Sequence, residues 1–448
     1  MIGQTRLLAT LAKLAKQAKA DGVSCSARAA TRRVFRFADG AIHQDVMQER
    51  VEVAITVIRG ARLGVATTHT LDTASLTRCL RRAEHLAEHA PTLAPPPVLP
   101  HGHKVRTRAD YLAAAARATP EACATLIKRW THQCRGAGAT LAGSLSTGEE
   151  ELAVVNTERV SCYAAWTIAA AKLVPQYRAL SGFSSAIGRS LQELAPDALL
   201  ARALRQCLHR REPVRMPLGT YEVILEPDAL AELMEWLAGI AFSPKSVQDR
   251  LSFLAGRMGE TVMDPQITIY DDGNEPGTIR LPFDYEGVPR RRVSLIERGK
   301  AAGIVYDTGY GARFGVPSTG HALPPDDAEG PMPLHLALAP GSVSVEAMIG
   351  SCRRGLLIPR FHYVNGLLNP REALMTGLTR EGAFLIEDGA LAAPIATLRF
   401  TQSLLEALSS VRGVSAERRL IGDPGTGTGL ALMPAVHLAG FRFTGQSA

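Results

Sequence analysis

The sequence predicts an α+β fold, with an N-terminal α/β domain over residues 1–215 and a β-rich, barrel-like antiparallel domain over residues 216–448. Three observations support this interpretation. Helical and strand patterns alternate up to about residue 215, and strand patterns dominate after residue 266. The predicted strands are joined by turns rather than by regular helical crossovers. A length of 448 residues is enough for two or three domains, each with its own core.

The N-terminal elements follow from apolar spacing and from capping signals. Leucines recur at helical spacing in the first fifteen residues and predict an opening amphipathic helix. Thr119, Pro120 and Glu121 combine an N-cap hydroxyl, a first-turn proline and an acid, which predicts a helix as far as about Cys134. The proline-rich residues 91–100 predict an extended connection. The other predicted elements are strands at 33–39, 51–59, 63–67, 140–146, 151–156 and 161–171, and helices from 70 or 72 to 89 and over 196–209.

The second half begins with a predicted strand at 221–225 and a helix over 228–242. From residue 266 onward the pattern is mostly β. Two short sequences of the form Ile-Glu-x-Gly, ending at Gly299 and Gly389, lie between apolar runs and predict hairpin turns.

Composition excludes several functional classes. No apolar run approaches the roughly 18 residues that a membrane span needs. Lys and Arg number 50 against 43 Asp and Glu, but the basic runs are short and dispersed, so nucleic-acid binding is not expected. The seven cysteines include no C-x-x-C pair, which argues against a disulfide framework and a zinc ribbon. Free thiols fit a cytoplasmic protein.

Generic catalytic and metal motifs are absent or weak in this sequence. His85 and His89 share a helical face with Glu88 nearby, but their helix precedes the proline-rich connection and no third ligand lies close in sequence. His101 and His103 lie in a loop. The glycine-rich residues 425–429 lack the lysine of a phosphate loop and predict a turn between strands.

One stretch of the second half is more specific. Residues 271–320 contain, in order, Asp-Asp-Gly, Phe-Asp-Tyr-Glu-Gly-Val-Pro, Leu-Ile-Glu-Arg-Gly and Thr-Gly, and residues 383–389 read Ala-Phe-Leu-Ile-Glu-Asp-Gly. Together these motifs closely resemble the TldD/PmbA (TldD/TldE) family of peptidase-related proteins over most of residues 215–448. In the first half the resemblance is looser.

The resemblance implies where a metal site would lie. Catalytic TldD-type members carry H-E-x-x-x-H on the helix after a V-x-L-x-P strand, and a late cysteine completes a site that activates water. Here the strand is present at 223–227, but Glu232, Glu235 or Trp236 stands where the first histidine belongs. No cysteine follows Cys352. We therefore expect no catalytic residue, no metal ligand and no cofactor in this chain, with zinc only in a TldD-type partner.

The resemblance thus favours the TldE/PmbA branch, a non-catalytic subunit that pairs with a TldD-type subunit and helps process extended or unfolded peptides. Two alternatives stay open: a diverged metal-dependent hydrolase that uses Glu235 with His321, His335 or His362, and a regulatory peptide-binding homodimer of gyrase-modulator type. Purified alone, the non-catalytic subunit would hold no stoichiometric metal.

Six residues in the family-like segments are candidates for the peptide cleft or the partner interface. For the two acids among them the simpler interpretation is turn chemistry, and for the histidine it is an ordinary surface position. The six candidates are Asp284, Glu286, Gly287, Thr319, Gly320 and His321.

Overall fold

The computed structural model describes residues 1–209, 211–422 and 429–446. Within these ranges the chain forms ten α-helices, one short 3₁₀ helix at Pro370–Glu372 and two sheets of largely antiparallel strands, so the α+β prediction is confirmed. No helix in the described part of the chain has the length and hydropathy needed to cross a bilayer. The helices are α1 (Gln4–Ala15), α2 (Thr73–His89), α3 (Ala113–Ala116), α4 (Pro120–Gly136), α5 (Pro196–Cys207), α6 (Pro227–Ala241), α7 (Pro244–Gln248), α8 (Thr308–Phe314), α9 (Val345–Ser351) and α10 (Leu404–Ala407).

The first sheet contains eight of the described strands, and its main order is β3-β2-β1-β5-β6-β4. All of these neighbours are antiparallel except β4 and β6. One face is covered by α1 and α2, and the other by α4 and α5. The strands are β1 (Gly22–Ala38), β2 (Ala41–Arg59), β3 (Arg62–Thr68), β4 (Arg106–Asp110), β5 (Thr140–Asn156), β6 (Ser161–Tyr177), β7 (Leu180–Ser181) and β8 (Ser184–Gly188).

The second sheet contains thirteen described strands and branches at β21, which pairs with β9, β13, β19 and β20. Its end strands β12 and β18 do not pair with each other in the described ranges, so the sheet is open there rather than closed as a barrel. The strands are β9 (Gly219–Leu225), β10 (Ile269–Asp271), β11 (Val293–Glu297), β12 (Lys300–Ala301), β13 (His335–Leu338), β14 (Arg354–Ile358), β15 (Phe361–Asn369), β16 (Leu374–Thr379), β17 (Phe384–Glu387), β18 (Ala390–Pro394), β19 (Leu398–Ser403), β20 (Val411–Gly422) and β21 (Leu430–Gln446).

Local sequence signals place the caps and the hairpin turns correctly. The Asp72 carboxylate accepts a hydrogen bond from Ser75 N at the start of α2, and the Thr119 hydroxyl does the same for Ala122 N at the start of α4. Both Ile-Glu-x-Gly turns have two residues with positive φ, as a type I′ hairpin requires.

The lengths of the long strands β1 and β5 differ most from the predicted lengths. β1 begins at Gly22 instead of residue 33, and β5 continues through residues 147–150, where a break was expected. Pairing explains both differences, because β1 lies between β2 and β5, and β5 lies between β1 and β6. The division into domains at about residue 215 stays a prediction. The glycine turn at 425–429 falls largely on residues 423–428, which lie outside the described ranges.

Helix α6 packs on one face of β9. Val223 and Leu225 belong to the apolar core that includes α6, whereas Ile224 packs on the opposite face with Met348 of α9. This alternation follows from the two-residue side-chain period of a strand. The helix that would carry the metal motif therefore covers one side of the second sheet, and α9 covers the other.

Candidate functional site

A cavity of about 750 Å³ lies between the first sheet and helix α6. Two of the three tryptophans of the chain, Trp166 of β6 and Trp236 of α6, line it. Most of the other lining residues are apolar and come from both halves of the chain, among them Ile168, Ile279, Leu281, Met332, Leu367 and Leu430.

Charged side chains of both signs border this cavity. Arg28 Nη2 lies 2.6 Å from Glu150 Oε2, and Arg28 Nη1 donates to the Tyr285 hydroxyl over 3.4 Å. Arg28 and Glu150 belong to the first sheet, whereas Tyr285 belongs to the second half. Arg28 thus connects the two walls of the cavity.

Asp110 anchors another part of the cavity wall. Its carboxylate accepts hydrogen bonds from Arg280 N at 2.8 Å and from Arg280 Nε and Nη2, both at 3.0 Å. Arg189 Nη1 adds a fourth at 3.1 Å. Although burial by itself raises the pKa of Asp110, these partners hold it below its usual value. The anchor attaches the segment with Ile279 and Leu281 to the end of β4.

A second cavity of about 240 Å³ lies beside α6. Asp228, Glu232 and Glu235 line it from the helix, and Ile421 and Gly422 line it from β20. Burial raises the pKa of Glu232. The described residues that line this space include neither histidine nor cysteine.

Cationic side chains of the protein already face these carboxylates. Arg419 Nη1 lies 2.8 Å from Asp228 Oδ2, and both side chains are largely buried. Arg360 and Lys172 also line the cavity. Zinc prefers thiolate and imidazole ligands. The residues present beside α6 therefore do not fit the metal that the sequence resemblance implies for this position.

The six predicted cleft or interface residues lie together beneath the larger cavity but do not line it. Asp284 Oδ1 accepts from Glu286 N and Val288 N, and its Oδ2 accepts from Ala322 N at 2.9 Å. Glu286 accepts from the Thr308 backbone N–H and hydroxyl. The two contacts of Asp284 Oδ1 are local turn contacts, as the simpler interpretation expects. The bonds to Ala322 and Thr308 instead join the turn to segments 38 and 22 residues away in the chain.

Close packing explains the two glycines among the six. A Cβ at Gly287, where φ is +80°, would lie 2.5 Å from Val160 Cγ1 of the first half. A Cβ at Gly320, where φ is +79°, would lie 2.5 Å from the Pro289 carbonyl oxygen. Both positions need glycine for its backbone conformation and for its lack of a side chain.

The interpretation of His321 as a surface residue is wrong, because its side chain is fully buried. His321 Nε2 lies 2.9 Å from Asp271 Oδ1, and Nδ1 lies 2.9 Å from the hydroxyl of Thr319. Burial by itself raises the pKa of Asp271, but the charge of His321 and its hydrogen bond lower it to about 2. His335 N donates to the other Asp271 oxygen at 2.7 Å. This buried network supports the loops under the cavity.

Comparison with known proteins decides the family. The PmbA/TldA metallopeptidase C-terminal domain matches residues 218–445, just over half of the chain. The chain belongs to the PmbA/TldD family. A metalloprotease of Methanothermobacter thermautotrophicus is 25% identical over 211 residues, which cover 46% of this chain and 44% of that protein. A metalloprotease TldD homologue of Haemophilus influenzae is 28% identical over 223 residues, which cover 49% and 45%. The chain spans about half the length of the curated relatives it matches.

Solved structures of PmbA/TldD-like proteins match almost the whole chain. TldE from Thermococcus kodakarensis superimposes with a TM-score of 0.87 at 22% identity, covering 98% of this chain and 99% of that one. A Thermotoga maritima protein named as a candidate modulator of a DNA gyrase gives 0.85 at 20% identity, covering 98% and 100%. At these identities the likeness establishes the fold alone.

In this PmbA/TldD-family chain, the histidines considered for a diverged hydrolase do not assemble around Glu235. His321 is buried against Asp271, and His362 lies on β15. His335 lines the larger cavity as Glu235 does, but its Nε2 is hydrogen-bonded to the Ile279 carbonyl oxygen. Among the described residues, Glu235 belongs to no group of three ligand atoms within 4.8 Å of one another. The described residues thus provide no three-ligand set around Glu235.

The residues that shape the cavity of this family member were mostly missed in the sequence. Arg28, Glu150 and Trp166 come from long strands whose apolar pattern is irregular, so nothing local marks them. The rarity of tryptophan was the available signal, since the sequence contains only three.

Proposed function

We propose that this chain is the non-catalytic subunit of a heterodimeric metallopeptidase complex, in which a TldD-type partner holds the zinc and this chain contributes an interface and part of a peptide-binding cleft. The supporting observation is the composition of the cavity beside α6. Its described lining offers carboxylates, arginine and lysine where the family's hydrolytic centre needs histidine and cysteine.

Charges of both signs meet at this cavity. Arg360 and Lys172 line it beside the carboxylates of Asp228, Glu232 and Glu235, and the Arg419 guanidinium pairs with Asp228 at its wall. These opposite charges largely offset one another. The lack of histidine and cysteine in the described lining, rather than the net charge, therefore makes zinc binding there unfavourable.

The larger cavity suits an extended peptide. Its volume of about 750 Å³ lies in the range of small-molecule binding pockets, which is about 300–1,000 Å³. Trp166 and Trp236 provide apolar surface for side chains, and Arg28 and Glu150 offer partners for backbone and charged groups. Such a lining recognises unfolded segments with little sequence selectivity.

The complex is tested by reconstitution. This chain, a histidine-bearing TldD-type chain and their mixture are assayed for cleavage of a fluorogenic unfolded peptide and for co-elution. We expect no cleavage by this chain, co-elution of the pair and cleavage by the mixture. The double variant Glu232→Gln/Glu235→Gln of this chain leaves the activity of the mixture intact. Cleavage by this chain alone that disappears in Glu235→Gln contradicts the proposal.

Peptide binding is tested with Trp236→Ala, measured by fluorescence anisotropy of a labelled unfolded peptide. Loss of this half-buried aromatic surface weakens binding about tenfold or more, since such an anchor contributes at least ~1–2 kcal/mol. The matched control is Met47→Ala, which removes an exposed apolar side chain outside the cavity and leaves affinity unchanged. Equal affinities for both variants argue against this cavity as the cleft.

The cysteines fit a cytoplasmic location. All seven are unpaired and buried, which is typical of proteins that fold under reducing conditions. Fractionation of the source cells, with an antibody against this chain, provides the test.

A further inference from the structure

A group of three side chains that could ligate a metal lies on the face of β9 opposite helix α6. Glu222 of β9, Cys352 between α9 and β14, and His437 of β21 place one ligand atom each within 4.8 Å of one another. Cys352 and His437 are 1% and 3% exposed. None of the three lines either cavity described above.

The sheet brings the three residues together. β9 lies between β14 and β21, with Glu222 opposite Gly355 on one side and Ile224 opposite His437 on the other. Gly355 makes room for the thiol, because a Cβ there would lie 2.6 Å from Cys352 Sγ. Three neighbouring chain segments thus converge on one point.

This point lies on the face of β9 opposite helix α6. Glu222 and Ile224 are two residues apart and share a face, and Ile224 packs against the α9 side. Val223, between them, points to the core that includes α6. The group is therefore separate from the position where the family's hydrolytic metal belongs.

We propose that Glu222, Cys352 and His437 form a zinc-binding site that staples β9, the start of β14 and β21. One thiolate, one imidazole and one carboxylate make the kind of donor set that zinc prefers. The proposal replaces the expectation of a metal-free chain, and it is independent of the proposed subunit role, because it adds no hydrolytic centre at α6.

Without a bound ion, the three side chains hydrogen-bond to one another. His437 Nε2 lies 2.7 Å from Glu222 Oε1, and the thiol of Cys352 donates to the same carboxylate. Bond lengths of about 2.0–2.3 Å around a tetrahedral zinc place ligand atoms about 3.3–3.8 Å apart. Small side-chain rotations reach this geometry, and a water molecule completes the fourth position.

The Cys352 thiolate and the Glu222 carboxylate match the two positive charges of a bound zinc ion, and Arg412 adds one positive charge at the solvent edge of the site. The Cys352 thiol, which donates a hydrogen bond to the Glu222 carboxylate, carries its proton before the ion binds. Binding forms the zinc–sulfur bond and releases that proton to the buffer. Glu222 Oε2 keeps its ion pair with Arg412 at 2.9 Å, and the half-exposed Arg412 side chain marks the solvent route to the site.

A nucleophilic role for Cys352 is less suitable. Its thiol is buried outside both cavities, and His437 pairs with Glu222 rather than with the sulfur atom. A buried thiol that keeps its proton is a poor nucleophile, because the thiolate is the reactive form.

The test is metal titration of the full-length chain after chelator treatment and dialysis. Zinc added in competition with a chromophoric chelator should bind with one equivalent, raise the melting temperature and release one proton per ion, measured by calorimetry in two buffers. Cobalt in place of zinc should give a thiolate-to-metal charge-transfer band. Cys352→Ser and His437→Gln lose the site, and Glu222→Gln binds about tenfold or more weakly.

Two controls separate this site from others. His85, Glu88 and His89 form an exposed group on α2 with the same ligand spacing, so His85→Ala/His89→Ala should keep the high-affinity equivalent. Glu232→Gln/Glu235→Gln should keep it as well. The proposal is overturned if wild-type chain binds no zinc stoichiometrically, if cobalt gives no thiolate band, or if binding survives Cys352→Ser and is lost in His85→Ala/His89→Ala. The cobalt spectrum of wild-type chain keeps the test decisive if a variant fails to fold.

Discussion

Replacement of Asp110 by asparagine should loosen the wall of the larger cavity. The carboxylate is 3% exposed and accepts four hydrogen bonds, three from Arg280 and one from Arg189. Asparagine keeps the shape but loses the charge, and it turns an NH₂ group toward a guanidinium. A hydrogen bond to a charged group contributes about 1.5–3 kcal/mol, and breaking a fully buried pair costs about 3–5 kcal/mol. Since both arginines are a third or more exposed, water compensates in part, and we expect a loss of about 2–3 kcal/mol.

Hydrogen–deuterium exchange is the appropriate assay, because the anchor is local. If the segment at 278–282 detaches without global unfolding, 2–3 kcal/mol corresponds to about 30- to 150-fold faster exchange of its amides, at 1.4 kcal/mol per factor of ten. Urea denaturation followed by tryptophan fluorescence measures the global part. Asp197→Asn is the matched control, since its pair with Arg129 is largely exposed and should contribute little.

The dependence on pH provides a second check on Asp110. The folded-state pKa of this acid lies below its usual 3.8, so its contribution to stability is complete above the unfolded pKa and is lost as pH falls through the folded pKa. The difference between wild type and Asp110→Asn should therefore be constant near neutrality and shrink in acid below about pH 4. A difference that grows in acid, or exchange at 278–282 that is unchanged near neutrality, would refute the reasoning.

Three further outcomes are expected. Gly287→Ala should destabilise the chain by about 1–3 kcal/mol in thermal denaturation, because the new Cβ clashes with Val160 and the positive φ is strained for alanine. Gly277→Ala, which also has positive φ but faces open space, should destabilise the chain less. Burial, with nearby acids, raises the pKa of Glu286 from 4.5 to about 8, so the folded chain retains a proton that the unfolded chain releases. The stability of wild type relative to Glu286→Gln should therefore fall as pH rises between these two values. The reverse trend contradicts the raised pKa. The seven buried cysteines should react slowly with a thiol reagent in the native, chelator-treated chain and fully in denaturant, whereas fast native labelling argues against their burial.

Local sequence patterns predicted those parts of the fold that depend on near neighbours. The caps of α2 and α4, the hairpin turns at Gly299 and Gly389, and the helix after β9 all depend on residues within a few positions. The full length of β1 and β5 was not predictable in this way, because small and charged residues interrupt their apolar pattern. Those strands are completed by hydrogen bonds to partners on both sides.

The candidate site shows the same division. The absence of histidine from α6 is a property of sequence alone, and it determined that the family's usual ligand set is missing. The environment of Glu232 required the fold, since Lys172 of β6 and Arg360, in the connection between β14 and β15, reach the same cavity from positions far away in sequence. His321 illustrates the limit, because only tertiary packing decides whether a histidine after a turn is buried.

By itself, then, the sequence determined the α+β class, the family resemblance and the loss of the histidine motif, since each can be read from residue types in order. Only the tertiary structure decided which side chains line the cavity and that Glu222, Cys352 and His437 meet. These three residues lie far apart in the chain and are joined by strand pairing, whose register depends on many weak contacts acting together. The spacing of residues along the chain does not predict such contacts, because the pairing and register of the strands decide which of their side chains come together.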